Sequence, residues 1–399
     1  MDNKSTLIIK NCTIFTPKDL LRHYDILVVN KRIERIGKNI NSERNDQITI
    51  LEAKEMLVSP GLIDSHTHGS YGIDFMTASV GQIQQLLKLY AENGVTSVLP
   101  TLSPALQDDY YRCCDLISEV LKKGEAGACI LGIHLEGPYI NQEQKGAQPG
   151  VDGHTPGLNE IKKFIKCSGN PVKIVTLAPE IPGGLQLIDF LTENGIVVSV
   201  GHSNATFEET EEAIKHGLSC STHTFNGMSG LHHRKPGVVG AVMVHDEIYA
   251  QIILDGVHVH PGAAKILFQS KGLDKIVLIT DSNHTAGLGD GEFIRPGNRK
   301  VFVKDGVARL ESGKLAGSVL TMNKAVLNAR NFLEISLPQA IQMASLNVAK
   351  SIGINNLGAV CEGYQADMIV HDENMNIFHT IIAGEIIYSR QLSKKANEH

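Results

Sequence analysis

The middle of the chain repeats one pattern of hydrophobic and polar positions. Apolar residues at helical spacing lead to a glycine, a short apolar run follows, and that run ends in a polar residue. In one repeat the helical stretch around Leu187 ends at Gly195, and the next apolar run reaches His202. A glycine suits the left-handed position at a helix C-terminus, and continuous apolar runs are typical of parallel strands buried on both faces. The pattern therefore predicts alternating helices and parallel strands.

Eight apolar runs of this kind predict strands at residues 57–66, 95–101, 129–136, 173–180, 196–202, 219–223, 250–258 and 275–281. Eight strands that alternate with helices predict an α/β fold of the (β/α)8, TIM-like barrel type. Beyond the eighth strand we expect a glycine-rich loop at residues 285–297, a hairpin turn at residues 304–306 and two helices near residues 318–333 and 337–352.

The two ends of the chain are patterned differently, as short strands separated by turns. Such runs lie at residues 7–15, 26–29 and 33–37, and again at residues 368–371 and 381–388. Neither end is long enough to bury a core alone. We therefore predict a small β-sandwich domain made of residues 1–56 and 357–399, with a barrel domain of residues 57–356 inserted between its halves.

Composition narrows the function classes. The chain has 399 residues, of which 42% are hydrophobic and 20% charged, close to the average of globular proteins. Its net charge of −6 disfavours nucleic-acid binding, and its apolar runs are too short to span a membrane. Seven cysteines without a framework spacing, and a start without an apolar leader, favour reduced thiols and a cytoplasmic location.

The predicted strands end in residue types that bind metals. These residues are His66, His68, Glu136, His202, His223 and Asp281. The carboxyl ends of barrel strands meet at one rim, where the active sites of such barrels lie. Imidazole and carboxylate donors are preferred by zinc, and by iron or manganese at mixed nitrogen and oxygen sites. The sequence therefore predicts a divalent metal centre at this rim.

Each of these assignments has a simpler structural alternative. A buried His202 or His223 could donate to the backbone, and Glu136 could form a salt bridge at the rim. Asp281 is the candidate proton shuttle between a water and a leaving group, and its alternative role is a helix N-cap. His258, at the end of strand seven, is a candidate to orient a substrate or stabilise an oxyanion.

The motifs around these residues resemble a known family. They comprise Pro-Gly-Leu-Ile-Asp-Ser-His-Thr-His at residues 60–68 and the segments 134–138, 201–203, 222–228, 234–237, 255–258, 280–281, 315–318 and 363–367. Together they resemble the amidohydrolase superfamily and, more narrowly, the N-acetylglucosamine-6-phosphate deacetylase family. The resemblance covers essentially the whole chain, and the combination of motifs is far more specific than any one of them.

The resemblance implies a metal site of one or two divalent ions per subunit. It assigns the main ion to Glu136, His202 and His223, and a second ion to His66 and His68 with Glu136 as the bridge. Zinc is the first expectation, with iron, manganese and cobalt as alternatives. The resemblance also makes Asp281 the catalytic acid and base, a role that it shares with metal binding.

The resemblance further implies a substrate site. It places the substrate phosphate against Asn226 and Gly227, and against an arginine that matches Arg234 and comes from the neighbouring subunit of a homodimer. The sugar site is implied at Ala147, Gln148, Asp255, His258, Leu315, Ala316 and Gly317. The partner is thus a small amino-sugar phosphate, with no nucleic acid and no membrane involved.

The expected reaction is hydrolysis of the acetamide of N-acetylglucosamine 6-phosphate to glucosamine 6-phosphate and acetate. Gln148 stands where many relatives carry histidine, so deacetylation of the galacto epimer remains an alternative. Cyclic amidases of the superfamily often carry a modified lysine at the end of strand four, whereas Lys173 lies at its beginning. Another amidohydrolase and a non-catalytic scaffold are the remaining alternatives.

Overall fold

The computed structural model describes residues 6–17, 19–41, 48–105, 107–148, 158–167, 172–295 and 299–390. The expectation that the chain starts without an apolar leader concerns residues 1–5, which lie outside the described ranges. Residues 391–399, at the other end of the predicted terminal domain, also lie outside them. None of the helices in the described ranges is both long and apolar enough to cross a membrane.

The chain forms its elements in three groups. The first is β1 (Thr6–Phe15), β2 (Leu20–Val29), β3 (Arg32–Gly37), β4 (Ile48–Glu52) and β5 (Leu57–Pro60). The second is β6 (Leu62–Thr67), β7 (Gly69–Ser70), β8 (Ile73–Asp74), α1 (Val80–Glu92), β9 (Val95–Leu102), α2 (Gln107–Lys123), β10 (Cys129–Ile130), β11 (Ile133–Glu136), α3 (Leu158–Cys167), β12 (Val172–Leu177), α4 (Gly184–Glu193), β13 (Val197–Val200), α5 (Phe207–Lys215), β14 (Leu218–Ser221), α6 (Gly237–Val244), β15 (Tyr249–Ile252), α7 (Pro261–Lys271) and β16 (Ile276–Leu278). The third is β17 (Gly291–Arg295), β18 (Arg299–Lys304), β19 (Val307–Leu310), α8 (Met322–Leu333), α9 (Leu337–Met343), α10 (Leu346–Ser351), β20 (Met368–His371), β21 (Ile377–Ile382) and β22 (Glu385–Ser389). Short 3-10 helices lie at Gln142–Gln144 and Leu273–Lys275.

The second group builds the predicted barrel. Its strands pair in parallel in the order β6, β9, β11, β12, β13, β14, β15 and β16, and β10 extends the third strand alongside β9. The ring closes where the amide of Asp281 donates to the carbonyl of His66 at 2.9 Å and Thr67 pairs with Ser282. Gly195 and Gly272 follow their helices at positive φ values of 70° and 68°, which glycine adopts without strain. The (β/α)8 prediction is confirmed.

The ends of the chain form a separate sheet, as predicted. Its strands run in the order β22, β21, β20, β5, β1, β2 and β3, with β4 paired to the first half of β1. Alternate residues of these strands bury one apolar cluster that includes Ile9, Ile14, Ile26, Ile33, Val58, Met368 and Ile381. Central and outer strands contribute to the same cluster, so the two ends of the chain share one core.

Two details differ from the sequence expectation. Residues 291–295, expected within a glycine-rich loop, form β17, which pairs with β18 and β19 in a three-stranded antiparallel sheet. The strand at Leu57–Pro60 pairs with β20 of the terminal sheet, so the first barrel strand begins at Leu62.

The hairpin turn lies where the sequence predicts it, at residues 304–306, and joins β18 to β19. The domain limits at 56/57 and 356/357 stay a prediction.

A buried histidine in the terminal sheet makes stability depend on pH. The Nδ1 of His371 lies 2.8 Å from the carbonyl of Asp372 and must donate to it, so Nε2 accepts from the Ser59 hydroxyl at 2.6 Å. Burial lowers the pKa of His371 to about 4, below the value near 6.5 of an unfolded chain. The folded state therefore binds fewer protons, and the stabilisation is complete above pH 6.5 and lost as the pH falls through 4.

We expect this one group to contribute about 3 kcal/mol of pH-dependent stability. Urea unfolding of the wild type and of His371→Gln, measured at several pH values between about 4 and 7.5, checks it. The variant should lose less stability on acidification than the wild type, whereas the exposed control His23→Gln should match the wild type. Parallel curves for wild type and His371→Gln would contradict the prediction.

Candidate active site and metal centre

All six predicted metal ligands lie at one rim of the barrel, at or just beyond the carboxyl ends of strands. His66 belongs to β6, Glu136 ends β11, and His202 and His223 each lie two residues beyond the ends of β13 and β14. Asp281 lies three residues beyond Leu278, the last residue of β16. The side chains come together because parallel strands of one barrel end at the same rim.

Glu136 lies at the centre of this arrangement. Its Oε1 is 3.1 Å from the Nε2 of His202 and 3.0 Å from that of His223, while its Oε2 is 3.0 Å from the Nε2 of His68. The donor atoms of Glu136, His202 and His223 all lie within 4.8 Å of one another, and those of His66, His68 and Asp281 form a second such group. The carboxylate therefore faces both groups, as a bridge between two ions would.

The buried nitrogens of the site fit a metal better than they fit a hydrogen-bond network. The Nε2 of His66 is fully buried without a hydrogen-bond partner, 3.4 Å from Oε1 of Glu136 and 3.6 Å from Oδ1 of Asp281. The Nε2 atoms of His202 and His223 face each other at 3.2 Å. Converging imidazole nitrogens beside carboxylate oxygens form a donor set suited to divalent cations.

Three of these ligands adopt an uncommon backbone conformation. His202, His223 and Asp281 have φ values of 50°, 32° and 46°. Such values are costly for side chains with a Cβ and persist where the surrounding structure over-determines them, often at functional sites. The three residues lie two or three positions beyond the ends of the barrel strands, so the backbone leaves the strand conformation where the ligands are placed.

Electrostatics keep both site carboxyls ionised. Burial alone would raise the pKa of Asp281, but the facing His66 and His68 hold it below its usual range. Glu136 is likewise buried, and its pKa lies well below the usual range because His66, His202 and His223 surround it. An ionised Asp281 is able to accept a proton.

His258 is fixed by Asp255. The Oδ2 of Asp255 accepts from Nδ1 of His258 at 2.6 Å, and its Oδ1 accepts from the backbone amides of Val257 and His258, both at 2.8 Å. Burial alone would lower the pKa of His258, but the bond to Asp255 raises it. The pair leaves Nε2 as the free ring nitrogen, and the His258 side chain lines the cavity over the metal ligands.

Further groups hold the ligands in place. Gln148 donates from Nε2 to Oε2 of Glu136. The carbonyl of Gln144 accepts from Nδ1 of His202 at 2.8 Å, and Ser103 is hydrogen-bonded to Nδ1 of His68 at 3.1 Å. Such contacts fix the orientation of a ligating imidazole. Gln148, expected to contact sugar, thus contacts a ligand carboxylate directly.

The ligands open into a cavity of about 360 Å³. Of the predicted substrate residues, its wall includes Ala147, Gln148, Asn226, Gly227, His258, Leu315 and Gly317. Asp255, Ala316 and Arg234 do not line it. Asp255 acts on His258 instead, and the carbonyl of Ala316 accepts from the side chain of Asn283. Arg234 lies on an exposed loop, where its Nη1 contacts His233 at 2.7 Å.

Sequence reasoning missed several residues of this wall, namely Glu143, Gln144, Gly146, Asn283, Arg295 and Lys314. Asn283 lies two residues beyond Asp281, so its position after strand eight was a usable signal. Arg295 and Lys314 belong to the three-stranded sheet and the turn that follows it. No periodicity in the sequence links that sheet to the barrel rim.

A (β/α)8 barrel with metal donors clustered at one rim defines the chain as a metal-dependent hydrolase of the barrel type. The chain belongs to the amidohydrolase family, which matches residues 57–387. The N-acetylglucosamine-6-phosphate deacetylase of Lysinibacillus sphaericus is 37% identical over 381 residues, 96% of this chain and 97% of the relative. The N-acetylgalactosamine-6-phosphate deacetylase of Escherichia coli O157:H7 is 36% identical over 340 residues, 85% of this chain and 90% of the relative.

A solved structure resembles the whole chain. It is that of a mutant N-acetyl-D-glucosamine-6-phosphate deacetylase from Mycobacterium smegmatis in complex with N-acetyl-D-glucosamine 6-phosphate, with 28% identity and a TM-score of 0.87. The similarity covers 97% of this chain and 100% of that chain. The resemblance predicted from the motifs is confirmed at the level of the family, which implies a divalent metal that the six donors fit.

Proposed function

We propose that this chain hydrolyses the acetamide of N-acetyl-D-glucosamine 6-phosphate, giving D-glucosamine 6-phosphate and acetate. The observation that carries the proposal is the placement of Asp281 and the two groups of metal donors, of which it is a member, in one cavity whose wall also holds His258 and Asn226. Relatives of nearly equal length that bear this activity in their names support it.

The metal site is proposed residue by residue. Glu136, His202 and His223 would hold the main ion, and His66 and His68 a second ion, with Glu136 between them and Asp281 close to both. Zinc is the first candidate, with iron, manganese and cobalt as alternatives. A bound divalent metal supplies Lewis-acid polarisation of the amide carbonyl and lowers the pKa of a bound water.

The protein's own residues perform the proton transfers. The Asp281 carboxylate accepts a proton from the attacking water and then delivers it to the nitrogen of the departing amine, which leaves as the carbon–nitrogen bond breaks. His258 would act as an imidazolium, a form that Asp255 favours because its carboxylate raises the pKa of His258. With Nδ1 bonded to Asp255, the second N–H, on Nε2, donates toward the carbonyl oxygen as negative charge develops there. The carbonyl carbon leaves with the added water oxygen, as acetate.

The substrate is oriented by groups around the cavity. Gln148 and the backbone of Ala147, Leu315 and Gly317 would contact the sugar, and the amides at Asn226 and Gly227 would approach the phosphate. Gly227 has φ 58°, and a Cβ there would lie 3.0 Å from Nδ1 of His202, so a larger residue would press on a metal ligand.

The free cysteines among the described residues support a reducing, cytoplasmic location.

The direct test is amine release by metal-loaded protein. N-acetylglucosamine 6-phosphate should be turned over rapidly, and the unphosphorylated sugar slowly. Faster turnover of the galacto-epimer phosphate would favour the second candidate, which Gln148 and the related galactosamine enzyme support. If the metal-loaded protein releases amine from none of the three sugars, the remaining candidates are another amidohydrolase reaction and a non-catalytic scaffold.

We further propose a homodimer in which Arg234 enters the partner's site. Arg234 is exposed and lies outside its own cavity, and the apolar side chain of Leu231 on the same loop is 58% exposed. An exposed arginine and an exposed apolar side chain on one loop suit an interface between subunits, where arginine is enriched. An arginine is suited to bind phosphate bidentately.

Arg234→Ala and Asp281→Asn should therefore complement each other. Each variant alone should have low activity on the phosphorylated sugar. After mixing under conditions that exchange subunits, about half of the dimers pair one of each, and each such dimer has one complete site, so about a quarter of wild-type activity should return. Activity of the mixture no higher than the average of the two separate variants would show that Arg234 does not act across the interface.

A further inference from the structure

The sheet that follows the barrel carries a buried arginine, and the Nε of this arginine has no hydrogen-bond partner among the described residues. Arg295 is the last residue of β17, it is 6% exposed, and its side chain lines the active-site cavity. Within the described ranges no carboxylate lies within 4 Å of its guanidinium, although guanidinium groups are seldom buried without a counter-charge.

A second arginine adds to this positive charge. Arg299 lies directly opposite Arg295 in the register of β17 and β18, and like charges at facing positions of an antiparallel pair repel. The Nη1 of Arg299 donates to the carbonyl of Ala147, a residue of the cavity wall, at 2.8 Å, so Arg299 lies just behind that wall. Lys314 lines the same cavity. One side of the cavity is therefore cationic, and Arg295 is its buried member.

We propose that Arg295 binds the phosphate group of the substrate from within the same chain and thereby determines specificity for phosphorylated sugars. This inference rests on the proposed function, in which phosphate is the one anionic group of the substrate. The five N–H donors of a guanidinium match phosphate oxygens, and phosphate would supply the missing counter-charge. A phosphate dianion has enough acceptor oxygens to bind Arg295 together with other donors.

The test compares two substrates on two proteins. We expect Arg295→Gln to lower kcat/KM for N-acetylglucosamine 6-phosphate roughly 10- to 100-fold, the range of one charge-assisted hydrogen-bonded contact. Most of the change should lie in KM, since the phosphate is bound equally before and during the chemical step. For unphosphorylated N-acetylglucosamine kcat/KM should not change.

Stability separates this role from a structural one. In the part of the chain that the structure describes, Arg295 forms no ion pair that could be lost, so Arg295→Gln should unfold at the wild-type temperature or above it. Lys300→Gln is the matched control, because Lys300 lies on the neighbouring strand, is exposed and pairs with Glu292; it should leave both substrates unaffected. Equal losses for both sugars, with or without a lower unfolding temperature, would overturn the phosphate assignment, as would wild-type kinetics.

A binding measurement separates this inference from the proposed reaction. Glucosamine 6-phosphate should raise the unfolding temperature of metal-loaded wild type, and Arg295→Gln should lose most of that rise. Unphosphorylated glucosamine serves as the control ligand. If no sugar releases amine but the Arg295-dependent rise persists, the proposed reaction is wrong and the phosphate site stands. If both proteins respond equally to glucosamine 6-phosphate, the phosphate site is wrong whatever the reaction.

Discussion

Asp281→Asn should reduce kcat by about 10³-fold or more and change KM little, because the variant loses the group that moves the proton in the transition state. The exchange keeps the shape of the side chain. Asparagine also tolerates the left-handed backbone at this position, where φ is 46°, so the variant should fold. Steady-state kinetics on N-acetylglucosamine 6-phosphate measures the effect.

Metal content must be measured on the same samples. Oδ1 of Asp281 lies 3.5 Å from Nε2 of His68 and 3.6 Å from that of His66, so the exchange also touches the second donor group. A variant that keeps the metal content of the wild type but not its turnover assigns the loss to proton transfer. Asp305→Asn is a matched control, since Asp305 is exposed at φ 52° in the hairpin turn between β18 and β19. Near-normal turnover by Asp281→Asn would refute its role as acid and base.

The strand ends explain why much of the site could be predicted. A barrel strand is buried on both faces, so its apolar run and the polar residue that ends it are visible in one sequence. Glu136 and His202 belong to different strands far apart in the chain, yet the barrel rule places both at the same rim. The structure brings their side chains to 3.1 Å.

The far wall of the cavity could not be predicted in this way. Arg295 lines the cavity from the last residue of β17, and Arg299 bonds to Ala147, 152 positions earlier in the chain. Such contacts depend on how a short sheet docks, and neither helical nor strand periodicity encodes that docking. The supporting role of Asp255 depends on the structure in the same way, since only the structure shows its carboxylate bonded to His258 and outside the cavity wall.

Glu136→Gln should remove most of the bound metal from both donor groups and with it the activity. The carboxylate faces three imidazole nitrogens at 3.0 to 3.1 Å, and an amide would replace one anionic oxygen with an NH2 group that cannot bind a cation. Without the charge, His202 and His223 would keep two neutral nitrogens, too few for a structural or catalytic ion of this type.

Elemental analysis of dialysed protein measures the loss directly, and thermal unfolding gives an independent readout. A ligand that binds only the folded state stabilises it, so chelation should lower the unfolding temperature of the wild type but leave that of Glu136→Gln nearly unchanged. Glu211→Gln is the control, because Glu211 also pairs with a histidine, His245 at 3.2 Å, but outside both donor groups. Wild-type metal content in Glu136→Gln would exclude the bridging role, and selective loss of one ion would show that the two groups bind independently.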